Sequence, residues 1–136
     1  MDSLRSTFRK SERLCSKKAI SELFEKGNSF YTFPLQVVWL ECSQDLTFPA
    51  QVAFSVSKRL FRRAVKRNLI KRRLRESYRK NKHLLYDILQ KENRRINFII
   101  IFKGETIPDY SETEKMVVTS LNKLVSAITR KSTEKT

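Results

Sequence analysis

Glycine and proline are nearly missing from this 136-residue chain, which has two of the first and three of the second. Two glycines cannot build a Gly-rich phosphate loop, and so little of either residue argues against a linker or a disordered chain. There is one histidine, His83, and there are two cysteines, Cys15 and Cys42. Neither HExxH nor any cluster with metal-ligand spacing can be drawn from them. The cysteines lie too far apart for a CxxC motif and read as two free thiols in a reducing compartment. No apolar run approaches the roughly eighteen residues of a membrane span, and the polar N-terminus lacks the apolar stretch of a secretory signal. A cytoplasmic protein with no membrane partner is expected.

Acidic residues are missing from one place in particular. Residues 58–82, KRLFRRAVKRNLIKRRLRESYRKNK, hold thirteen Lys or Arg and a single acid, Glu76. That segment alone carries +12 of the chain's net +15. Like charges spaced i,i+4 cost an isolated helix roughly 0.2–0.5 kcal/mol each. Here Arg62/Lys66, Arg63/Arg67, Arg67/Lys71, Lys71/Arg75 and Arg75/Arg79 all stack in this way. A run of charge is ordinarily a solvated face, but solvated helices mix Glu with Lys. Eight of these thirteen bases are Arg, whose planar donors match phosphate oxygens. A membrane-surface helix would need a broad apolar face that this segment lacks. A polyanionic partner, nucleic acid first, is therefore expected.

The remaining pattern is that of one domain. Residues 16–27 read as a helix with Ser16 as N-cap, Ile20, Leu23 and Phe24 as an apolar stripe and Gly27 as the stop. Residues 33–41 and 50–57 read as strands paired in an antiparallel hairpin, with a turn over 43–49 and a possible further strand near Phe30. Residues 62–80 form an amphipathic helix with Ile70, Leu74 and Tyr78 inward and Arg62, Lys66, Arg73 and Lys80 outward. Residues 83–95 either extend it or make a second short helix. Residues 96–103, INFIIIFK, read as a strand buried on both faces. Ser111 and Glu114 make a candidate capping box for a last helix with the stripe Val117, Leu121, Leu124 and Ile128. The expected fold is a single-domain α+β sandwich, about four strands in a small mixed sheet with three helices. Residues 12–130 form the domain, 1–11 a mobile segment and 131–136 a frayed tail.

Catalysis by this chain finds no support in the pattern. His83 sits beside Leu84 and Leu85, as a packing or surface residue does. The SxxK of Ser-Lys acylases occurs twice, at Ser55 to Lys58 and at Ser120 to Lys123, without companion motifs. Neither a small-molecule substrate nor a cofactor held by the protein alone is expected.

The order of these residues resembles the protein subunit of bacterial ribonuclease P. The strand end FSVSKR, residues 54–59, and the helix AVKRNLIKRRLRESY, residues 64–78, are similar to that family's central block. RLCSKKAISELFEKG is similar to its first helix, INFIIIFKG to its buried strand and residues 111–128 to its last helix. The chain departs from the pattern in three places. Leu69 stands where the family's Arg-Asn-Arg motif has its second Arg, with Arg72 and Arg73 the candidates to compensate. Phe61-Arg62 replaces the usual Gly-Asn, and residues 79–95 are longer.

The resemblance implies a left-handed βαβ crossover at the basic helix and a large catalytic RNA as partner. It implies that this RNA, with a divalent metal such as magnesium, removes the 5′ leader of precursor tRNA. Lys58, Arg59, Arg62, Lys66, Arg67, Asn68, Lys71, Arg72, Arg73 and Arg75 are then expected on RNA. Ile20, Phe24, Val38, Ser55 and Ser57 are expected in a leader-binding cleft between the first helix and the sheet. The alternative is a structural RNA-binding protein of ribosomal type, which needs only the basic helix. If several phosphates sit on that helix, the slope of log K against log salt will be about −4 or steeper. Filter binding across a salt series measures it, and a slope near zero contradicts phosphate contact.

Overall fold

The computed structural model describes Phe8, residues 10–42 and residues 49–134, with side chains to residue 130. A 3₁₀ turn, Lys10–Glu12, leads into helix α1 (Lys17–Lys26) and strands β1 (Asn28–Thr32), β2 (Leu35–Glu41) and β3 (Ala50–Val56). Helices α2 (Ala64–Asn81) and α3 (His83–Lys91), strand β4 (Ile96–Phe102) and helix α4 (Tyr110–Glu134) follow. The expected α+β architecture with one four-stranded mixed sheet is present. Among the described residues there are four α-helices rather than three, because the stretch after the basic helix forms α3. Residues 1–7, 9 and 135–136, within the expected terminal segments, lie outside the described residues, as does the expected turn over 43–48.

The expected hairpin of residues 33–41 with residues 50–57 does not form. The strand order is β1-β2-β4-β3, with β4 antiparallel to β2 and parallel to β3. β4 has apolar residues on both faces, and only the centre of a two-sided sheet buries both. It therefore lies between the two strands that resemble a hairpin in sequence. β2 instead pairs with β1 through a turn at Phe33 and Pro34.

One face of the sheet presents Leu35, Val37, Trp39, Val52, Val56, Ile96, Phe98, Ile100 and Phe102. Against it lie Ile70, Leu74 and Tyr78 of α2, Leu85 and Leu89 of α3, and the α4 stripe Val117, Leu121, Leu124 and Ile128. Phe8, Phe54 and Phe98 each meet the Tyr78 ring edge-on at centroid distances of 5.8–5.9 Å. The opposite face is covered only in part. There α1 and the segment before it add Leu23 and Leu14 to Val38 and Ile99.

Local capping explains the element ends. Ser16 Oγ accepts from the Ala19 N–H, as its sequence context predicts. Gly27 ends α1 where a Cβ would lie 2.3 Å from the Leu23 carbonyl oxygen, so no larger residue fits. Asn93, at φ 53°, closes α3 in the left-handed conformation that glycine more often supplies. The α4 cap is Asp109 rather than Ser111, and its Oδ1 accepts from the Glu112 N–H at 2.8 Å. Glu114 turns away from that role and accepts from Asn81 Nδ2, tying α4 to α2.

A charged cluster lies inside this apolar frame. Lys82, between α2 and α3, pairs with Glu12 of the 3₁₀ turn, and the Tyr86 hydroxyl donates to the same carboxylate oxygen. Glu12 and Lys82 are both essentially inaccessible to solvent. Removing one partner of such a pair strands the other charge in low dielectric, which costs roughly 3–5 kcal/mol. Glu12→Ala is therefore expected to lower stability by about that much, measured by urea unfolding, and Arg13 and Leu14 should lose their register on β3.

The two buried phenols set an alkaline limit. Burial holds the Tyr78 hydroxyl above its ordinary pKa; burial, then the neighbouring Tyr78 and Glu12, do the same for Tyr86. In the unfolded chain both titrate near pH 10. Their contribution is complete below about pH 10 and lost as pH rises toward the folded-state values, at about 1.4 kcal/mol per pH unit per tyrosine. Tyr86→Phe is expected to flatten the fall in stability above about pH 10, read from unfolding curves at successive pH values.

Candidate nucleic-acid interface

An inner face, an outer stripe and two flanks of α2 follow from its 3.6-residue period. Ile70, Leu74, Ser77 and Tyr78 face the core. Val65, Asn68, Arg72 and Arg75, spaced three and four apart, form the outermost stripe. With Leu69 they line one shallow surface depression. Asn68, Arg72 and Arg75 make no ion pair among the described residues, and no acid stands in the first turn of the helix. The α2 N-cap, Arg63, makes no side-chain capping bond. Basic side chains beside a positive helix end add to the self-repulsion, which an anion placed there relieves.

Lys71 and Arg75 stand on the flank toward β3. Together with Arg13, Phe8, Cys15 and Phe54 they border a groove of about 250 Å³. Arg13 lies 5.5 Å from the centre of the Phe8 ring, a cation–π contact that holds it at the groove edge. The basic surface thus reaches past the helix onto the N-terminal segment.

The outward set Arg62, Lys66, Arg73 and Lys80 read from the sequence is corrected on the other flank. Arg73 Nη1 donates to the Pro108 carbonyl, and Lys80 lies 5.2 Å from the Tyr110 ring centre. These two side chains hold the loop before α4, and the outermost arc lies about a quarter-turn away. Arg67 is also tied to the protein: its Nη1 donates to the Phe61 and Arg62 carbonyls at 2.7 and 2.8 Å. It braces the entry to α2, where Phe61 is anchored 6.1 Å from Phe102. Ser57 Oγ accepts from the N–H groups of Arg59 and Leu60 and folds 57–60 into a turn. That turn leaves Lys58 and Arg59 exposed beside the α2 entrance.

The second expected surface is divided. Val38 is buried with Leu23 and belongs to the seat of α1, whereas Ile20 packs against the same cluster and stays half-buried. Phe24, by contrast, is 58% exposed. Cross-strand pairs share a face. The registers Tyr31↔Gln36, Gln36↔Ile101 and Ser55↔Ile101 therefore place Tyr31 and Ser55 on the α1 side of the sheet. Tyr31, Phe33, Gln36 and Lys103 were not read from the sequence as site residues. Strict alternation from Phe30, whose ring packs on the core, would have turned Tyr31 and Phe33 to the opposite face.

The fold and these surfaces define a class: a small α+β domain that sets an arginine-rich helix beside a partly open sheet face bearing aromatics. The family model for ribonuclease P matches residues 8–127. The ribonuclease P protein component of Porphyromonas gingivalis is 37% identical over 119 residues, covering 88% of this chain and 87% of that one. That of Petrotoga mobilis is 32% identical, covering 87% and 95%. The ribonuclease P protein structure from Thermotoga maritima superposes with a TM-score of 0.66 at 19% identity, covering 82% of this chain and 96% of that one. The Staphylococcus aureus structure gives 0.62 at 20% identity, covering 83% and 94%. The chain belongs to the ribonuclease P protein family, the protein component of a tRNA-processing ribonucleoprotein. No match supports the ribosomal-type alternative.

Two kinds of arginine should separate by mutation. Arg72→Ala is expected to leave stability within about 0.5 kcal/mol and to lower the salt slope of RNA binding by about one. Arg67→Ala deprives two loop carbonyls of their donor and is expected to cost about 1–3 kcal/mol of stability. Thermal melting alongside RNA titration distinguishes them. Equal effects on both readouts would contradict the division.

Proposed function

We propose that this chain docks its α2 ridge on the catalytic RNA of a cytoplasmic ribonuclease P and holds the 5′ leader of precursor tRNA on the α1 side of its sheet. The observation that carries the reading is the outward stripe of Asn68, Arg72 and Arg75, whose arginines make no ion pair among the described residues, on a helix whose first turn holds no acid and whose N-cap makes no side-chain bond. RNA phosphates supply the missing charge, and release of their counterions drives assembly.

In this reading the RNA performs the endonucleolytic hydrolysis with its own magnesium. Among the described residues no three Cys, His, Asp or Glu side chains converge as a metal site, and the chain's residues are assigned binding and positioning. Lys58, Arg59, Lys66 and Lys71 add charge around the stripe. The exposed Phe24 ring offers a π-face to an unpaired leader base, a contact tolerant of sequence. Mature tRNA has no leader and loses that contact, so the substrate is held more tightly than the product.

Reconstitution tests this directly. Purified protein added to a bacterial catalytic RNA is expected to stimulate precursor-tRNA cleavage at low salt, while protein alone cleaves nothing and His83→Ala retains full stimulation. Phe24→Ala removes an exposed ring and should stay folded. It is expected to weaken binding of leader-bearing precursor by about 1–3 kcal/mol and to leave mature tRNA unaffected. Failure of the protein to stimulate any bacterial catalytic RNA would overturn the proposal.

A further inference from the structure

The β1–β2 turn carries an aromatic pair that the described residues leave largely open to solvent. Tyr31 is 47% exposed and Phe33 72%, and their ring centres lie 6.3 Å apart with planes inclined at 43°. Lys103 places its Nζ 6.0 Å from the Tyr31 ring centre. The backbone beneath is held firmly, with Lys123 Nζ donating to the Tyr31 carbonyl and the Lys103 N–H donating to that of Pro34. Two large rings held out to solvent on an anchored turn act in recognition more often than in packing.

The surroundings select the occupant. Gln36 and Ser55 share this face with Tyr31, and the chain carries +15 overall. Two rings are far short of the roughly 800 Å² per partner that a stable protein interface buries, and their neighbours, Ile101 apart, are polar or cationic. π-faces edged by a lysine, on a strongly basic protein, fit unpaired nucleobases with their phosphates. The five residues of β1, at about 3.3 Å each, set the pair on the order of 15 Å along the sheet from the end of α1.

We propose that Tyr31 and Phe33, with Lys103, form a second base-stacking platform that takes an unpaired leader nucleotide other than the one assigned to Phe24. The inference rests on the leader-binding reading above, and separate variants keep the two apart. In the holoenzyme assembled with catalytic RNA, Phe33→Ala is expected to weaken binding of leader-bearing precursor about tenfold, with Tyr31→Ala acting in the same direction. Leaderless tRNA should bind unchanged, and the melting temperature should hold.

Because the two platforms take different leader nucleotides, the losses from Phe24→Ala and Phe33→Ala should multiply in the double variant. Phe33→Trp should retain affinity, and its emission should be quenched by leader-bearing but not by leaderless tRNA. If Phe24→Ala weakens leader binding while Tyr31→Ala and Phe33→Ala do not, the platform is wrong and the leader reading stands. If none of the three has an effect, both fail. Equal loss with leaderless tRNA, or loss of self-association with leader affinity intact, also overturns the platform.

Discussion

A single buried ion pair holds the parts of this molecule in their working relation. Glu12 and Lys82 meet out of reach of water, with the Tyr86 hydroxyl on the same carboxylate. Lys82 is where α2 gives way to α3, and Glu12 ends the turn from which Arg13 and Leu14 run beside β3. The basic ridge and the N-terminal segment therefore cannot shift independently. A charged pair in this place contributes little net energy compared with well-packed apolar groups, but it tolerates few alternative arrangements. Two apolar residues could slide past one another, whereas a buried carboxylate with one ammonium and one phenol cannot.

With that joint in place, α2 divides its bases by task. One side is committed to the core, and Arg67 and Arg73 bond backbone carbonyls on either side of the helix. Arg79 is neutralised by Glu76, whose carboxyl the Arg79 guanidinium holds below the usual carboxylate range. What remains outward is the stripe of Asn68, Arg72 and Arg75, continued by Lys71 and Arg13, with the exposed Arg62, Arg63 and Lys66 at the helix start. The repulsion along the helix is thus lowered from within by partners for some of its charges. In the proposed function, an external polyanion neutralises the rest.

The sheet separates this ridge from the aromatic side through its own asymmetry. Helices α2, α3 and α4 cover most of one face, whereas α1 is only ten residues long and covers part of the other. Exposed rings occur where the short helix runs out: Phe24 on α1 itself, Tyr31 and Phe33 at the β1–β2 turn. A longer first helix would have buried that surface and left no open face beside the basic ridge.

The sequence by itself determined much of this. Its 3.6-residue periodicity marked the inner faces of α2 and α4, and the apolar run of residues 96–103, interrupted only by Asn97 before Lys103, identified a strand buried on both sides. Charge segregation marked out the basic helix, and motif order pointed to the family. These are local quantities, written in neighbouring residues. Tertiary structure decided what depends on distant partners. β4 entered between β2 and β3 because only the central position buries both its faces. Asp109 rather than Ser111 capped α4, and Glu114 was drawn instead to Asn81. Val38 became part of the seat of α1, while Tyr31 and Phe33 came to the surface. Which arginines stay free was decided last. A guanidinium within reach of a backbone carbonyl is held by it, and that reach is set by how the elements pack, not by their order along the chain.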